Sequence, residues 1–205
     1  MAKILITLFI GWSAAVTCAE PLVDSILHRY GWESYSKAKE IAFTFHGGKF
    51  GLGISNAWIY KPQSDSVVCV DKGIAYSRRA IPESARGIDK SFVNDWYWFS
   101  FPFHLGMDQN LRIEADSART ASPINKEFLR KVKVSYPKGS GYTPGDMYEL
   151  WVAPDGTIKE WKYHRHGGRG GLKWTWGKPE MHGGLTFATD HQGPFHVYFT
   201  DIAVR

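Results

Sequence analysis

His164 and His166 stand two residues apart, with His182, Asp190 and His191 downstream. On a strand, side chains at i and i+2 project to the same side. Such a pair would hold one zinc or copper ion, with Asp190 or His191 as a third ligand. Arg165 and Arg169 flank the pair, however, and positive charge opposes a cation. Gly167-Gly168 reads as a solvated hairpin end, so no metal is expected. Glu149 and Glu160 form a second pair. Facing each other across a hairpin over 146–164, they would have the residue types for glycoside hydrolysis. Both fall on what reads as a polar face, so solvated charges are expected there. Cys69 lies in the apolar run Val67-Val68-Cys69-Val70, which implies a buried, inert thiol. No Gly-x-Ser-x-Gly elbow, phosphate loop or His-Glu-x-x-His occurs. This reading assigns no catalytic residue, metal or cofactor.

The aromatic residues suggest binding rather than bond chemistry. The chain holds 9 Trp, 10 Tyr and 12 Phe. Seven of these rings fall in residues 92–103. If Trp96, Trp98, Phe99, Phe101 and Phe103 face a concave sheet, they line an apolar cavity. Such a cavity suits an acyl chain, which needs area and shape rather than hydrogen bonds. Asn94 and Asp95 would then offer polar groups to a ligand head, or else cap the start of a helix. Trp58 and Tyr60, just before Lys61-Pro62, complete the candidate ligand-binding set. The competing outcome is that these rings simply fill the barrel.

The positioning elements read as follows. Val23, Ile26, Leu27 and Tyr30 share one face of a 3.6-residue period, and Gly31 can stop that helix in the left-handed conformation. From Ile41 the period becomes two. A turn is expected at Gly47-Gly48, and a long strand then runs to Tyr60. Segments 66–70 and 73–77 make a hairpin around Asp71-Lys72. Residues 83–86 are helix-compatible. Neither parity of 92–103 is polar, so that block is expected to be helical or irregular, packed on more than one side. Short amphipathic strands follow around Ile113, Val134, Leu150, 157–164, Trp174, Phe187 and Val197, with a bulge expected near Asp201. About eleven strands without βαβ alternation imply an antiparallel sheet.

Location is written at the start of the chain. Lys3, the apolar stretch 4–10 and the small side chains of Thr17-Cys18-Ala19 have the layout of a signal peptide over 1–19, cleaved near Ala19. One domain then spans 20–205, secreted or periplasmic. Cys18 admits lipidation, but Thr17 at −1 fits that signal poorly. Once residues 1–19 are removed, Cys69 is the one remaining cysteine and no internal disulfide is available. The net charge of +5 is mild and its basic residues are scattered, so no nucleic-acid footprint is read. No transmembrane segment is read in the mature chain.

Five segments carry a family resemblance. They are Tyr30-Gly31-Trp32, Trp58-Ile59-Tyr60-Lys61-Pro62, residues 92–103, Tyr148-Glu149-Leu150-Trp151-Val152-Ala153-Pro154-Asp155, and Tyr198-Phe199-Thr200-Asp201-Ile202-Ala203-Val204. The chain resembles the lipoprotein-carrier (LolA/LolB-like) superfamily of the bacterial envelope. It also looks like a group of secreted bacterial proteins with a similar Asn-Asp-x-Tyr-Trp segment. The resemblance implies a mainly β fold: an N-terminal helix, then a curved antiparallel sheet forming an unclosed barrel with a few helices on its concave side. It implies reversible binding of a lipid, lipopeptide or other apolar ligand, with 92–103 shifting as a lid, and an envelope protein as a second partner. The alternatives are an envelope hydrolase without a recognisable motif, and a structural or interaction protein with a filled barrel.

Overall fold

The computed structural model describes residues 19–49, 52–138 and 143–205. Most of the expected leader therefore lies outside the described residues. The first element is α1 (Glu20–Tyr30), which buries Leu22, Ile26 and Tyr30. Gly31 ends it at φ 81°, and a Cβ there would collide with the Gly184 carbonyl, so only glycine fits. A short α2 (Trp32–Tyr35) follows.

Four strands come next: β1 (Ile41–Lys49), β2 (Leu52–Lys61), β3 (Ser66–Cys69) and β4 (Ile74–Ser77). Behind a 3-10 turn at Glu83–Ala85 runs the 22-residue α3 (Arg86–Met107). Eight strands complete the chain: β5 (Arg112–Ala121), β6 (Phe128–Ser135), β7 (Met147–Val152), β8 (Ile158–His164), β9 (Leu172–Thr175), β10 (Gly177–His182), β11 (Leu185–His191) and β12 (His196–Val204).

These strands form two antiparallel sheets. One has the order β10-β11-β12-β1-β2-β3-β4 and the other β5-β6-β7-β8-β9. The sheets meet at Trp176, between β9 and β10. There the Trp176 N–H donates to the Lys159 carbonyl (2.7 Å) and the Thr175 N–H to the Gln192 carbonyl (2.9 Å). On the other side, no pairing joins β4 to β5 among the described residues. The barrel is unclosed, as expected, and α3 lies inside it.

Three expectations need correction. The turn expected at Gly47-Gly48 is strand: both glycines stay in β1, with Gly48 opposite Gly53 and Lys49 opposite Leu52. A Cβ on Gly47 would press against the Phe45 ring, so this glycine makes room for a neighbouring side chain. The strand read as one from Leu172 to Trp176 changes sheet at Trp176, because a corner of the barrel falls there. The block 92–103 is not a lid. Phe99, Phe101 and Phe103 are fully buried, with Phe99 stacked between Phe43 (4.4 Å) and Phe187 (4.1 Å). On its other side Phe101 meets Tyr148 (4.6 Å) and Trp161 (5.4 Å). Each such ring is worth roughly 1.5–3 kcal/mol of burial, so swinging this helix out would expose the core of the molecule. The bulge near Asp201 is present. Between the pairs Ala42–Ala203 and Thr44–Thr200, β12 places two residues, Asp201 and Ile202, against the single Phe43 of β1, and Asp201 sits at φ 54°.

Candidate functional site

Near its C-terminal end α3 is enclosed on all sides, and every residue from Phe99 to Leu105 is buried. Earlier it keeps one exposed stripe: Arg86, Lys90 and Asn94, four residues apart. The sheets do not cover this stripe, and two cavities flank it. The inner one, about 210 Å³, lies between α3 and β7–β9. Its walls include Tyr97, Trp98, Tyr148, Trp161 and Trp174. The outer one is a groove of about 660 Å³ between α3 and the far end of the β1–β2 hairpin, with Phe45, Ile54, Asn56, Lys90 and Asp95 along it. Asn94, Trp98 and Phe195 line both, so they form the wall between groove and cavity. Ile54 is 60 % exposed, an aliphatic side chain on the groove with little covering it.

Of the residues singled out from sequence, Asn94, Asp95 and Trp98 line these cavities. Trp58, Tyr60, Trp96, Phe99, Phe101 and Phe103 line neither. They are buried in one aromatic core with Phe43, Phe187 and Phe199. Trp58 nonetheless touches the site through its indole. Its Nε1 donates to Asp95 Oδ2 at 2.9 Å, and Asn56 Nδ2 donates to the same oxygen at 2.8 Å. Asn94 Nδ2 donates to Asp95 Oδ1 at 3.0 Å. Asn94 and Asp95 therefore do not cap a helix start. They lie two turns into α3, and Asp95 accepts from side chains. Its carboxylate is almost fully buried with neutral donors only. Burial raises its pKa above the ordinary carboxylate value, against the lowering effect of those three hydrogen bonds.

Sequence reasoning missed Phe195, Tyr97, Tyr148 and Trp161 as cavity residues. The signal for Tyr148 and Trp161 was available: with Tyr163, Trp174 and Trp176 they put five rings on β7–β9 and the residue that follows β9, facing α3. Phe195 had no such signal, because it comes from the connection between β11 and β12.

The candidate chemical constellations resolve differently. His164 and His166 do not project together, because β8 ends at His164 and His166 sits in a 3-10 turn at φ 49°. Both ring nitrogens of His164 are engaged, Nε2 with Glu149 Oε2 (2.9 Å) and Nδ1 with the Gly168 carbonyl (3.0 Å). Among the described residues no three His, Cys, Asp or Glu side chains are grouped to hold a metal. Glu160 is not solvated as expected. The 122–125 segment folds over it, and its carboxylate accepts from Ser122 Oγ (2.8 Å), Ile124 N (2.7 Å) and Asn125 N (2.7 Å). That is a structural clamp. Glu149 sits among His164, Lys131 and Lys162. Burial raises its pKa, but His164 and Lys131 outweigh burial and hold it below the usual value.

One chain of residues has the order of a hydrolase triad. Ser100, His104 and Asp108 are spaced four apart on and just past α3. His104 Nδ1 is 3.1 Å from both Asp108 oxygens, and Nε2 is 3.3 Å from Ser100 Oγ. Ser100 is fully buried and its hydroxyl donates to the Trp96 carbonyl at 2.7 Å. Neither cavity reaches it. A nucleophile needs an approach for substrate, and this one has none. Tyr97 and Tyr136 also donate to Asp108, at 2.9 and 2.8 Å, making it the hub of a buried network. Cys69 is buried and free, as expected.

The fold and its cavities together define a mainly β half-barrel with a helical plug and a two-part aromatic mouth. No protein-family model matches the chain, nor does any curated protein sequence. Among solved structures it is similar to a DUF1329 family protein from Desulfovibrio piger, at 9 % identity and a TM-score of 0.47, over 91 % of this chain and 92 % of that one. A likeness of that size carries no argument about function, which rests on the mouth itself. No helix among the described residues is long and apolar enough to cross a membrane.

Proposed function

We propose that this chain is a secreted or periplasmic binding protein, without catalytic activity, for a lipid, lipopeptide or other apolar ligand held at the half-barrel mouth. The observation that carries this reading is the pair of adjoining aromatic cavities sharing the wall of Asn94, Trp98 and Phe195. The inner volume exceeds the roughly 150 Å³ that holds benzene in an engineered apolar cavity, and the groove falls within the roughly 300–1,000 Å³ of small-molecule sites. Affinity comes from area removed from water, roughly 25 cal/mol per Å² before ordering costs. The segments that resemble the lipoprotein-carrier superfamily and the signal-like start support the same reading. Because α3 is fixed in the core, entry runs through the groove between α3 and the β1–β2 hairpin.

The test is to express the full chain with its own N-terminal segment in a bacterial envelope and weigh the purified protein by native mass spectrometry. An added mass of lipid size that solvent extraction removes is the expected result. A bare mass, with no change in Trp98 indole NMR signals when a short-chain lipid is titrated in, overturns the proposal.

A further inference from the structure

The inner cavity is more aromatic than an acyl chain requires. Three indoles meet there at steep angles: Trp98 stands 86° from Trp174 and 68° from Trp161, each at 4.7 Å. Tyr97, Tyr148 and Tyr163 add three more rings, and Phe195 closes the side toward the groove. Aliphatic side chains are few: Val93, and Leu172 at the exposed rim. An acyl chain is served equally well by aliphatic walls. The indoles pack edge to face on one another, and an aromatic wall offers something an aliphatic one does not, the negative faces of its π systems.

The charges around this cavity are divided. Among the described residues, Asp146 is its one charged lining residue, and no Lys, Arg or His side chain lines it. The Asp146 carboxylate is buried, accepting from Tyr163 Oη (2.9 Å) and the His166 N–H (2.8 Å). Exposed Arg165 acts electrostatically on Tyr163, and the exposed His166 ring stands 3.9 Å from Asp146 Oδ1. Just outside, the mouth turns basic. A surface depression shares Val93, Asn94 and Thr143 with the cavity and carries Arg86 and Lys90 from the exposed stripe of α3. Its Asp89 is already held by Arg78 at 2.9 Å, and Arg86 pairs with exposed Glu83 at 2.9 Å. Lys90 has no ion pair among the described residues. One negative charge inside and two positive charges outside form a gradient that fits a zwitterion entering cation first.

Resting on the reading above, we infer that the inner cavity is an aromatic cage for a quaternary ammonium group, and that the attached phosphate lies against Arg86 and Lys90. The chemistry is that of a phosphocholine-type head. A quaternary ammonium has no N–H to satisfy, so ring faces and one remote carboxylate suffice. A primary ammonium carries three donors, and the one carboxylate here is already engaged. A cavity of about 210 Å³ is large enough for a trimethylammonium group. Such a head occurs free and on a lipid, and both sources present the same atoms to the cage.

The test is a titration of the full chain, followed by Trp fluorescence and calorimetry, with five probes: choline, its uncharged isostere 3,3-dimethylbutan-1-ol, phosphocholine, and short-chain phosphatidylcholine and phosphatidylglycerol below their micellar concentrations. Choline should bind at least tenfold tighter than the isostere, and phosphocholine tighter still. Asp146→Asn should weaken choline, with near-UV circular dichroism confirming the fold. Arg86→Gln with Lys90→Gln should weaken phosphocholine without weakening choline. Phosphatidylcholine binding tighter than phosphocholine identifies a lipid as the source, and equal affinity identifies the free head. If the isostere matches choline, or phosphatidylglycerol matches phosphatidylcholine, the cage is overturned while the apolar-ligand reading stands. If phosphocholine binds and neither lipid does, the cage stands with the free head as its ligand and the lipid reading falls; if no probe binds, both fall.

Discussion

Phe99 and Trp98 are neighbours on α3, both aromatic, and the barrel uses them differently. Phe99 lies between Phe43 and Phe187 with their rings nearly parallel, and it is fully buried. Trp98 is half-buried, packed edge to face on Trp161 and Trp174 on one side and open to cavities on the other. The same contrast divides the helix. Near Phe103 both sheets reach α3, and Tyr35 closes over it at 5.1 Å. Near Asn94 the sheets stop short and a stripe of α3 stays open. A high density of aromatic residues therefore marks two things in this protein, a filled core and an unfilled mouth. Sheet coverage decides which.

The largest expected effect breaks the core side of this comparison. Phe99→Ala should cost about 3–5 kcal/mol in urea unfolding, because the void is sealed by rings that cannot collapse into it. Trp98→Ala, already facing open space, should cost roughly half as much, about 1.5–2.5 kcal/mol. Ligand binding should respond in the opposite sense: lost in Trp98→Ala, retained in whatever fraction of Phe99→Ala stays folded. Equal stability losses with no binding difference would mean that the two positions belong to one filled core.

That division was only partly legible in the sequence. Alternation placed most of the strands, and Gly31 and the bulge at Asp201 followed from local patterns. The aromatic block was identifiable as an inserted element packed on more than one side. Which of its rings would meet empty space was not readable, since that depends on where β2 and β9 end in three dimensions. Nine residues were proposed as one ligand surface, and the structure brings three of them, Asn94, Asp95 and Trp98, to cavities. Glu160 reads as a solvated charge in its strand pattern. Only the fold of a loop some 35 residues away in sequence buries it.

The next contrast is between two aspartates of this helix, Asp95 buried two turns in and Asp108 part-buried just past its end. Asp108 accepts from His104, Tyr97 and Tyr136. Burial raises its pKa, but these partners outweigh burial and hold it below 3.8. A depressed folded value means that its contribution is present above the unfolded pKa of about 3.9 and is lost as pH falls through the folded value. Asp108→Asn should therefore cost about 1–3 kcal/mol near pH 7, a margin that shrinks below about pH 4. Asp95 runs the other way. Its pKa is raised, so its protonated form favours folding, and that contribution fades as pH rises through the folded value. A carbon-detected NMR titration of the two carboxyls should show Asp95 titrating above 3.8 and Asp108 below it. The reverse order would mean that burial outweighs its partners at Asp108 rather than at Asp95.

The smallest effect on stability should come where the mouth is most open, and it is the sharpest probe of the mouth. Ile54 is 60 % exposed at the outer end of the β1–β2 hairpin, yet it lies on the groove rather than alone on a convex surface. Surface substitutions away from packed features usually change stability by less than about 0.5 kcal/mol. Ile54→Ser should stay within that limit in urea unfolding. If the groove is where an apolar chain lies, the same change should weaken short-chain lipid binding severalfold, because it removes a contact that exists only when the groove is occupied. A variant as stable as the parent that binds as well as the parent would show that the ligand does not lie along the hairpin, and would confine binding to the inner cavity behind Trp98.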